Sequence, residues 1–185
     1  MKKYKIGVIV GSLRKESYNL KTAKALIDMG PESLSFEMID IANLPMFNED
    51  LEGTPPKEWV IFREQIVAAD GILFLTPEYN RSVTGVLKNA IDVGSRPYGQ
   101  NSWDGKPAGI VSVSIGNISG FGANHHLRQS LVFVNMHTMA QPEAYIGGAG
   151  ALFNDEGKLI NVSTKDFLNT FMLAFEKWIH SNVQK

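Results

Sequence analysis

The chain has 185 residues, which suits one domain, and its 44% hydrophobic and 20% charged residues are those of an ordinary globular protein. The 18 basic and 19 acidic residues leave a net charge of -1, so no bulk attraction to nucleic acid or anionic lipid is expected. The absence of cysteine excludes disulfides, thiolate nucleophiles and iron–sulfur clusters, and suits the reducing cytoplasm, where we expect the protein to work. No stretch approaches the roughly 20 apolar residues of a membrane span, so we expect no membrane insertion.

Apolar patterning predicts alternating strands and helices in the first part of the chain. A β-branched run over 4–10 predicts a strand, and apolar residues at helical spacing predict a helix over 19–29. Residues 36–41 alternate like a strand nearer the edge of a sheet. The three prolines and one glycine of 44–56 predict a long loop, and a helix is expected over 57–69.

The remaining chain continues this alternation. Apolar runs predict three further strands, at 71–76, 108–113 and 144–146. Helical spacing predicts three further helices, at 85–93, 125–134 and 167–179. Ser163, with Asp166 three residues on, is expected to cap the last helix.

Five strands alternating with helices indicate a doubly wound α/β fold, which we expect to form a single domain over residues 1–185. The crossovers are expected to be right-handed, and the expected strand order of the parallel sheet is 2-1-3-4-5. In such a sheet the ligand binds beyond the carboxyl ends of the strands, where the strand order reverses. The loops after strands 1 and 3 should therefore meet at the binding site.

The loop after strand 1 has the composition of an anion site. Ser12, Arg14, Ser17 and Asn19 lie between a buried strand and the start of a helix. The helix start offers unpaired N–H groups and the positive end of its dipole, while hydroxyls and a guanidinium add hydrogen bonds. A terminal phosphate monoester fits this arrangement. The alternative is that Ser17 only caps the helix and Arg14 is solvated.

Other phosphate-binding motifs are absent from the sequence. There is no G-x-x-x-x-G-K-[ST], and no G-x-G-x-x-G follows the first strand. Low-molecular-weight phosphatases use a similar loop but require a cysteine, which this chain lacks. Gly116, Gly120 and Gly122 have the wrong spacing for a dinucleotide turn, and are expected to form a mobile wall of the site.

The loop after strand 3 has the composition of a wall for a flat ring. Pro77 ends the strand, and the residues after it can direct backbone N–H groups and the Tyr79 ring across the crevice. A flat heteroaromatic ring needs such donors and a smooth apolar surface. In the alternative interpretation Tyr79 is a surface aromatic in an ordinary turn.

These two loops together resemble the NADPH-dependent FMN reductase family, which is flavodoxin-like and includes chromate and quinone reductases and relatives of azoreductases. The matching motifs are GSLRxxSxN at 11–19, PEYN at 77–80 and GxLKNAID at 85–92. GKP at 105–107 and HLRQ at 126–129 also match in order and spacing, so the resemblance spans nearly the whole chain. Two separated motifs at the right distance are a specific signal.

The resemblance implies an FMN site made of three segments. The phosphate would be held by the first segment, with Gly11, Ser12, Leu13, Arg14, Ser17, Asn19 and Leu20. The isoalloxazine ring would lie along Pro77, Glu78, Tyr79 and Asn80, with Ser82 close by. Its other edge would pass Ser114 and Gly116, where glycine lets the backbone approach closely. The substrate would meet Tyr79, Arg81 and Asn117, although a solvated Arg81 is the favoured interpretation.

The resemblance also implies an activity. NADPH or NADH would reduce the flavin, which would reduce a small acceptor such as a quinone, an azo compound, chromate or free flavin, with no catalytic side chain and no metal. The first alternative is an FMN electron carrier without nicotinamide activity; such carriers are strongly acidic, whereas this chain is nearly neutral. The second is a non-flavin module on the same fold.

Relatives in this family pair through the helices after strands 3 and 4, so a homodimer or homotetramer is expected. The sequence departs from some relatives at Gly122, where they have an arginine that bears on contacts between subunits. The histidines are expected to be structural or on the surface, because none forms a metal pair at helical spacing.

Overall fold

A computed structural model of the protein describes residues 3–183, so residues 1, 2, 184 and 185 of the predicted domain lie outside it. The strands are β1 Tyr4–Val10, β2 Leu34–Met38, β3 Gly71–Thr76, β4 Pro107–Val113, β5 His137–Thr138 and β6 Ala144–Ile146. The helices are α1 Tyr18–Asp28, α2 Lys57–Ala68, α3 Gly85–Gly94, α4 Phe121–Phe133 and α5 Val162–Asn182. Short 3-10 turns lie at Glu49–Leu51 and Ala149–Ala151. Within this range, none of the helices has the length and apolar character needed to cross a membrane.

The sheet is parallel, and its strand order β2-β1-β3-β4-β5 confirms the predicted order. Every residue of β3 and β4 is buried, because helices cover both faces of the sheet. Trp59, Phe62 and Trp103 are the largest side chains of the core on one face. Phe171 and Phe175 of α5 have the same role on the other face.

The fifth position of the sheet differs from the prediction because two short strands share it. β5 pairs with the first residues of β4, and β6 pairs with its last three. β6 has the bounds predicted from the sequence, whereas β5 has only two residues, too few to give a periodic pattern. The sheet therefore has six strands instead of the five expected.

Two predicted helix starts are wrong. α4 begins at Phe121 instead of residue 125, directly after Gly120, whose φ of 75° is in the left-handed region. α5 is capped by Asn161, not by Ser163, because Asn161 is the extended residue whose side chain accepts from the N–H of Thr164 at 2.9 Å. Ser163 already lies inside the helix, and its hydroxyl donates to the Asn161 side chain.

The buried Asn89 of α3 holds the long loop after β2 against the domain. Its Oδ1 accepts from the N–H of Phe47 at 2.7 Å. Its Nδ2 donates to the carbonyls of Leu44 at 3.2 Å and Pro45 at 3.1 Å. One side chain thus satisfies three backbone groups of a segment without regular strand or helix partners.

We expect Asn89→Ala to lower the free energy of unfolding by about 2–4 kcal/mol, because it leaves the Phe47 N–H and the Leu44 carbonyl without a partner near the core. Equilibrium unfolding in urea measures the change. The control is Gln100→Ala, an exposed site where a change within about 0.5 kcal/mol is expected. Equal stability of the two variants would show that water replaces Asn89 at no cost.

Candidate active site

The loops after β1, β3 and β4 meet at the carboxyl edge of the sheet and enclose a cleft of about 310 Å³. The edge between β1 and β3 is the point where the strand order reverses. The structure brings together at this cleft the predicted site residues Ser12, Arg14, Ser17, Asn19, Pro77, Glu78, Tyr79 and Ser114. Tyr18, Val113 and Ile115 also line it, although they were not among the predicted site residues.

Gly11 fixes the origin of the first loop. Its N–H donates to the Leu75 carbonyl at 2.7 Å, and its carbonyl accepts from the Thr84 hydroxyl at 2.7 Å. A Cβ at this position would lie 3.0 Å from Leu87 Cδ2, so the packing around Gly11 is close and a larger residue would have to displace Leu87. Both polar groups of Gly11 therefore hold the loop in place and are not available to a ligand.

The first turn of α1 combines a cap with free donors. Ser17 is the N-cap, and its Oγ accepts from the N–H of Leu20 at 3.3 Å, so the capping interpretation of Ser17 describes the structure. The N–H groups of Tyr18 and Asn19 have no acceptor among residues 3–183. They lie at the positive end of the helix dipole, and the Ser17 hydroxyl can still donate its proton outward. This end of α1 can bind an anion.

The charges of the first loop favour an anion as well. Glu16 is its only acid, and a hydrogen bond with Lys21, 3.1 Å away, lowers the pKa of the Glu16 carboxyl. Neither Arg14 nor Lys15 forms a salt bridge within the described part of the chain. The Arg14 guanidinium lies 5.0 Å from the centre of the Tyr18 ring, at the lining of the cleft. The loop therefore presents net positive charge in a nearly neutral protein.

Asn19 carries a buried oxygen without a partner. The residue is 3% exposed, and its Nδ2 donates to the Val113 carbonyl at 3.3 Å. Its Oδ1 has no hydrogen-bond partner among the described residues. An amide oxygen only accepts hydrogen bonds, so a ligand that satisfies it must carry a donor such as a hydroxyl. FMN, with a phosphate, a polyhydroxyl chain and a flat ring, fits the groups present in this cleft.

The turn after β3 presents part of its surface to the cleft and part to α4. Tyr79 and Ser82 exchange backbone hydrogen bonds of 3.0 Å, and the two residues between them have φ values of 52° and 64°. Pro77 is buried, whereas Tyr79 is 53% exposed at the lining of the cleft. Asn80 and Arg81 lie at the tip of the turn and do not line the cleft. The Ser82 hydroxyl bonds His126 Nδ1 at 2.7 Å, so it contacts α4.

The loop after β4 contributes less of its predicted part. Ser114 lines the cleft, and its Oγ accepts from the N–H of Gly116 at 3.2 Å. Gly116 and Asn117 do not line the cleft, whereas Ile115, which is 70% exposed, does. The sequence feature that could have identified Ile115 as a lining residue is its apolar side chain among exposed polar residues. Leu13 and Leu20 line a neighbouring cleft between the ends of β1 and β2.

The histidines near the cleft bind other side chains. His125 Nε2 lies 2.9 Å from the Tyr145 hydroxyl. Burial and a hydrogen bond with Glu143 raise the pKa of Tyr145 to about 12. In the range 3–183 no three His, Asp or Glu side chains are placed to hold a metal ion.

We expect two substitutions to show which part of FMN each residue binds. Arg14→Ala should weaken FMN by about 1.5–3 kcal/mol, roughly tenfold to hundredfold, through loss of a charge-assisted hydrogen bond. It should leave riboflavin, which lacks the phosphate, unaffected. Asn19→Ala should weaken both ligands roughly tenfold, because its oxygen would accept from a hydroxyl that both ligands carry. Fluorescence titration of the apoprotein measures these affinities.

Asn182→Ala, at the end of α5, serves as the control for loss of an asparagine side chain. Unchanged FMN affinity in Arg14→Ala would remove Arg14 from the site. If Asn19→Ala weakened FMN alone, Asn19 would act on the phosphate and not on the hydroxyl chain.

The chain is similar to known proteins over nearly its whole length. Residues 4–151 match the family model for NADPH-dependent FMN reductase. A quinone reductase of Pseudomonas putida is 57% identical over 180 residues, which cover 97% of this chain and 96% of that protein. A 2-hydroxy-1,4-benzoquinone reductase of a Burkholderia species is 42% identical over 175 residues, covering 95% of this chain and 96% of that protein.

Among solved structures, the flavoenzyme NAD(P)H:(acceptor) oxidoreductase FerB of Paracoccus denitrificans superposes with a TM-score of 0.92 at 39% identity. The alignment covers 98% of this chain and 100% of that one. The fold is therefore flavodoxin-like, as the resemblance implied, and the chain belongs to the NADPH-dependent FMN reductase family.

Proposed function

We propose that this chain is an NAD(P)H-dependent reductase that binds FMN and passes electrons to a small acceptor, with quinones as the first class. The observation that carries the proposal is the joining of an anion-binding helix start to an aromatic wall in one cleft at the reversal of strand order. The 57% identity to a quinone reductase supports the acceptor class. Azo compounds, chromate and free flavin are further acceptors to screen.

The roles of the residues follow from what each can offer. Bound FMN would supply two-electron redox chemistry, which none of the side chains lining the cleft can supply. Ser12, Arg14, Ser17 and the free N–H groups at the start of α1 would bind its phosphate. Pro77 and Tyr79 would give the ring a wall, and the half-exposed Tyr79 leaves room for a nicotinamide or acceptor to stack at the mouth. The chain itself would bind and orient FMN and leave one side of its ring open.

The proposal includes two further expectations, one about domain organisation and one about cellular location. Residues 1–185 form one domain, which the continuous sheet and its two cores support. The protein works in the cytoplasm, where NAD(P)H is available, and its lack of cysteine suits that compartment.

The proposed oligomer is a homodimer or homotetramer that pairs through α3 and α4. At the end of α4, Val132 is 65% exposed and Phe133 is 91% exposed. Phe133 borders a groove of about 340 Å³ between α3 and α4, together with Ile91 and Val134. Such large apolar side chains beside a groove are typical of a surface that another protein covers.

The reductase and the electron carrier differ in their response to a nicotinamide. We expect the protein to be yellow with FMN, and NADPH or NADH to bleach its visible flavin band anaerobically within the time of one turnover. Added 1,4-benzoquinone should restore the colour. FMN at the same concentration without protein is the control. Bound flavin that does not bleach would indicate the carrier, and a protein that stays colourless after incubation with FMN would overturn the proposal.

We expect the protein to elute in light-scattering chromatography at twice or four times its chain mass of 20.4 kDa. Phe133→Asp should dissociate it, because the charge cannot be buried in an apolar interface. Ile160→Asp, at another exposed apolar residue, should leave the mass unchanged. A monomeric parent protein would contradict the proposed assembly.

A further inference from the structure

Helix α4 begins without a capping side chain of its own. Its N-cap is Gly120, which has no side chain, and its first turn contains no acidic residue. The starts of α1, α3 and α5 are capped by Ser17, Thr84 and Asn161. The first N–H groups of a helix have no acceptor within the helix, so α4 needs an acceptor from another part of the chain.

Glu78, from the turn after β3, provides that acceptor. Its Oε2 accepts from the N–H of Ala123 at 3.1 Å. Ala123 is the third residue of α4, a position that an N-cap side chain serves in other helices. The Oε1 of Glu78 accepts from Arg81 Nη1 at 3.0 Å, and the Glu78 side chain is only 10% exposed. The Glu78 carboxylate is thus shielded from solvent, accepts two hydrogen bonds and lies at the positive end of the helix dipole.

One further hydrogen bond and one close approach bring the same turn against α4. The Ser82 hydroxyl bonds His126 Nδ1 at 2.7 Å, one helical turn further along. At Gly122 a Cβ would lie 3.0 Å from both the Glu78 Oε2 and the Arg81 carbonyl oxygen. The absence of a side chain at 122 is what lets the turn approach the helix this closely.

The turn joined to α4 in this way forms part of the cleft lining, and so does the loop that precedes α4. Pro77, Glu78 and Tyr79 line it from the loop after β3, and Ser114 and Ile115 line it from the loop that leads into α4. The hydrogen bond between Glu78 and the Ala123 N–H therefore links one part of the lining to the helix that follows the other part.

We propose that Glu78 is a positioning residue whose carboxylate caps α4 and thereby sets the width of the FMN cleft. The inference rests on the proposed function, because it assumes that FMN binds in this cleft. Coupling between a bound ligand and a capped helix is reciprocal, so FMN should in turn order the first turn of α4.

The test compares Glu78→Ala with Asn161→Ala, which removes the cap of α5 and leaves the turn after β3 intact. Both variants should lower the melting temperature. Only Glu78→Ala should weaken FMN, roughly tenfold to hundredfold, measured on the apoprotein well below its melting temperature. In the parent, NMR hydrogen exchange at the Ala123 amide should slow when FMN binds.

Conservative variants separate the charge of Glu78 from its reach. Glu78→Gln keeps one oxygen that can accept from the Ala123 N–H but loses the acceptor for Arg81, and it should bind FMN within about threefold of the parent because the capping bond is retained. Glu78→Asp keeps the charge but is one methylene shorter, and should weaken FMN roughly tenfold because it cannot reach Ala123 unless the turn moves. These two variants decide the question if Glu78→Ala does not fold.

The outcomes distinguish the two proposals. A parent protein that binds no FMN overturns the proposed function, and this inference with it. A parent that binds FMN, with Glu78→Ala or Glu78→Asp binding it equally well, overturns the inference and leaves the proposed function standing. Exchange at Ala123 that does not respond to FMN would likewise show that the cap and the ligand are uncoupled.

Discussion

The whole cleft depends on how the end of β1 is attached to its neighbours. Gly11 donates to the end of β3 and accepts from the Thr84 hydroxyl, each at 2.7 Å. The same Thr84 oxygen caps α3 by accepting from the N–H of Leu87. One glycine and one threonine thus fix a strand, a loop and a helix relative to each other. The loop after β1, which we expect to bind phosphate, begins at that fixed point. Because Leu87 packs against Gly11, there is little freedom for this origin to move.

Many polar groups in these loops are used to hold the loops themselves. Ser17 caps α1, Ser82 bonds α4 and Glu78 caps α4. In these loops the Asn19 oxygen is the buried side-chain atom without a partner among the described residues, and the N–H groups of Tyr18 and Asn19 at the start of α1 also lack an acceptor there. Since a buried polar group without a partner is costly, these remaining groups indicate the ligand more directly than the motif as a whole.

The central strands could be located from the sequence because buried parallel strands produce continuous apolar runs, as in 71–76 and 108–113. Their order was expected from the doubly wound fold class that this alternation indicates. β5 could not be located, since two residues carry no period. The cap of α5 was misassigned because Asn161 and Ser163 are both good capping residues, and only the backbone decides which lies outside the helix.

Within the site, the sequence predicted which loops meet but not where each side chain points. Glu78 lies in a matching motif and Ser82 lies two residues after its end, yet their partners Ala123 and His126 are 45 and 44 residues further along the chain. Contacts at such separation depend on the tertiary packing of α4 beside the turn. Local patterns contain no information about them, so the direction of these two side chains became visible only in the structure.

The divided fifth position of the sheet affects how the folded protein behaves among other proteins. A long, flat outer strand exposes unpaired backbone groups that can recruit a strand from another molecule. Here one outer position is split into strands of two and three residues. At the opposite border, β2 is only five residues long, and its Glu37 forms a salt bridge with Lys5. Neither border offers a long apolar template, so both ends of the sheet are poorly suited to pairing with a strand of another molecule.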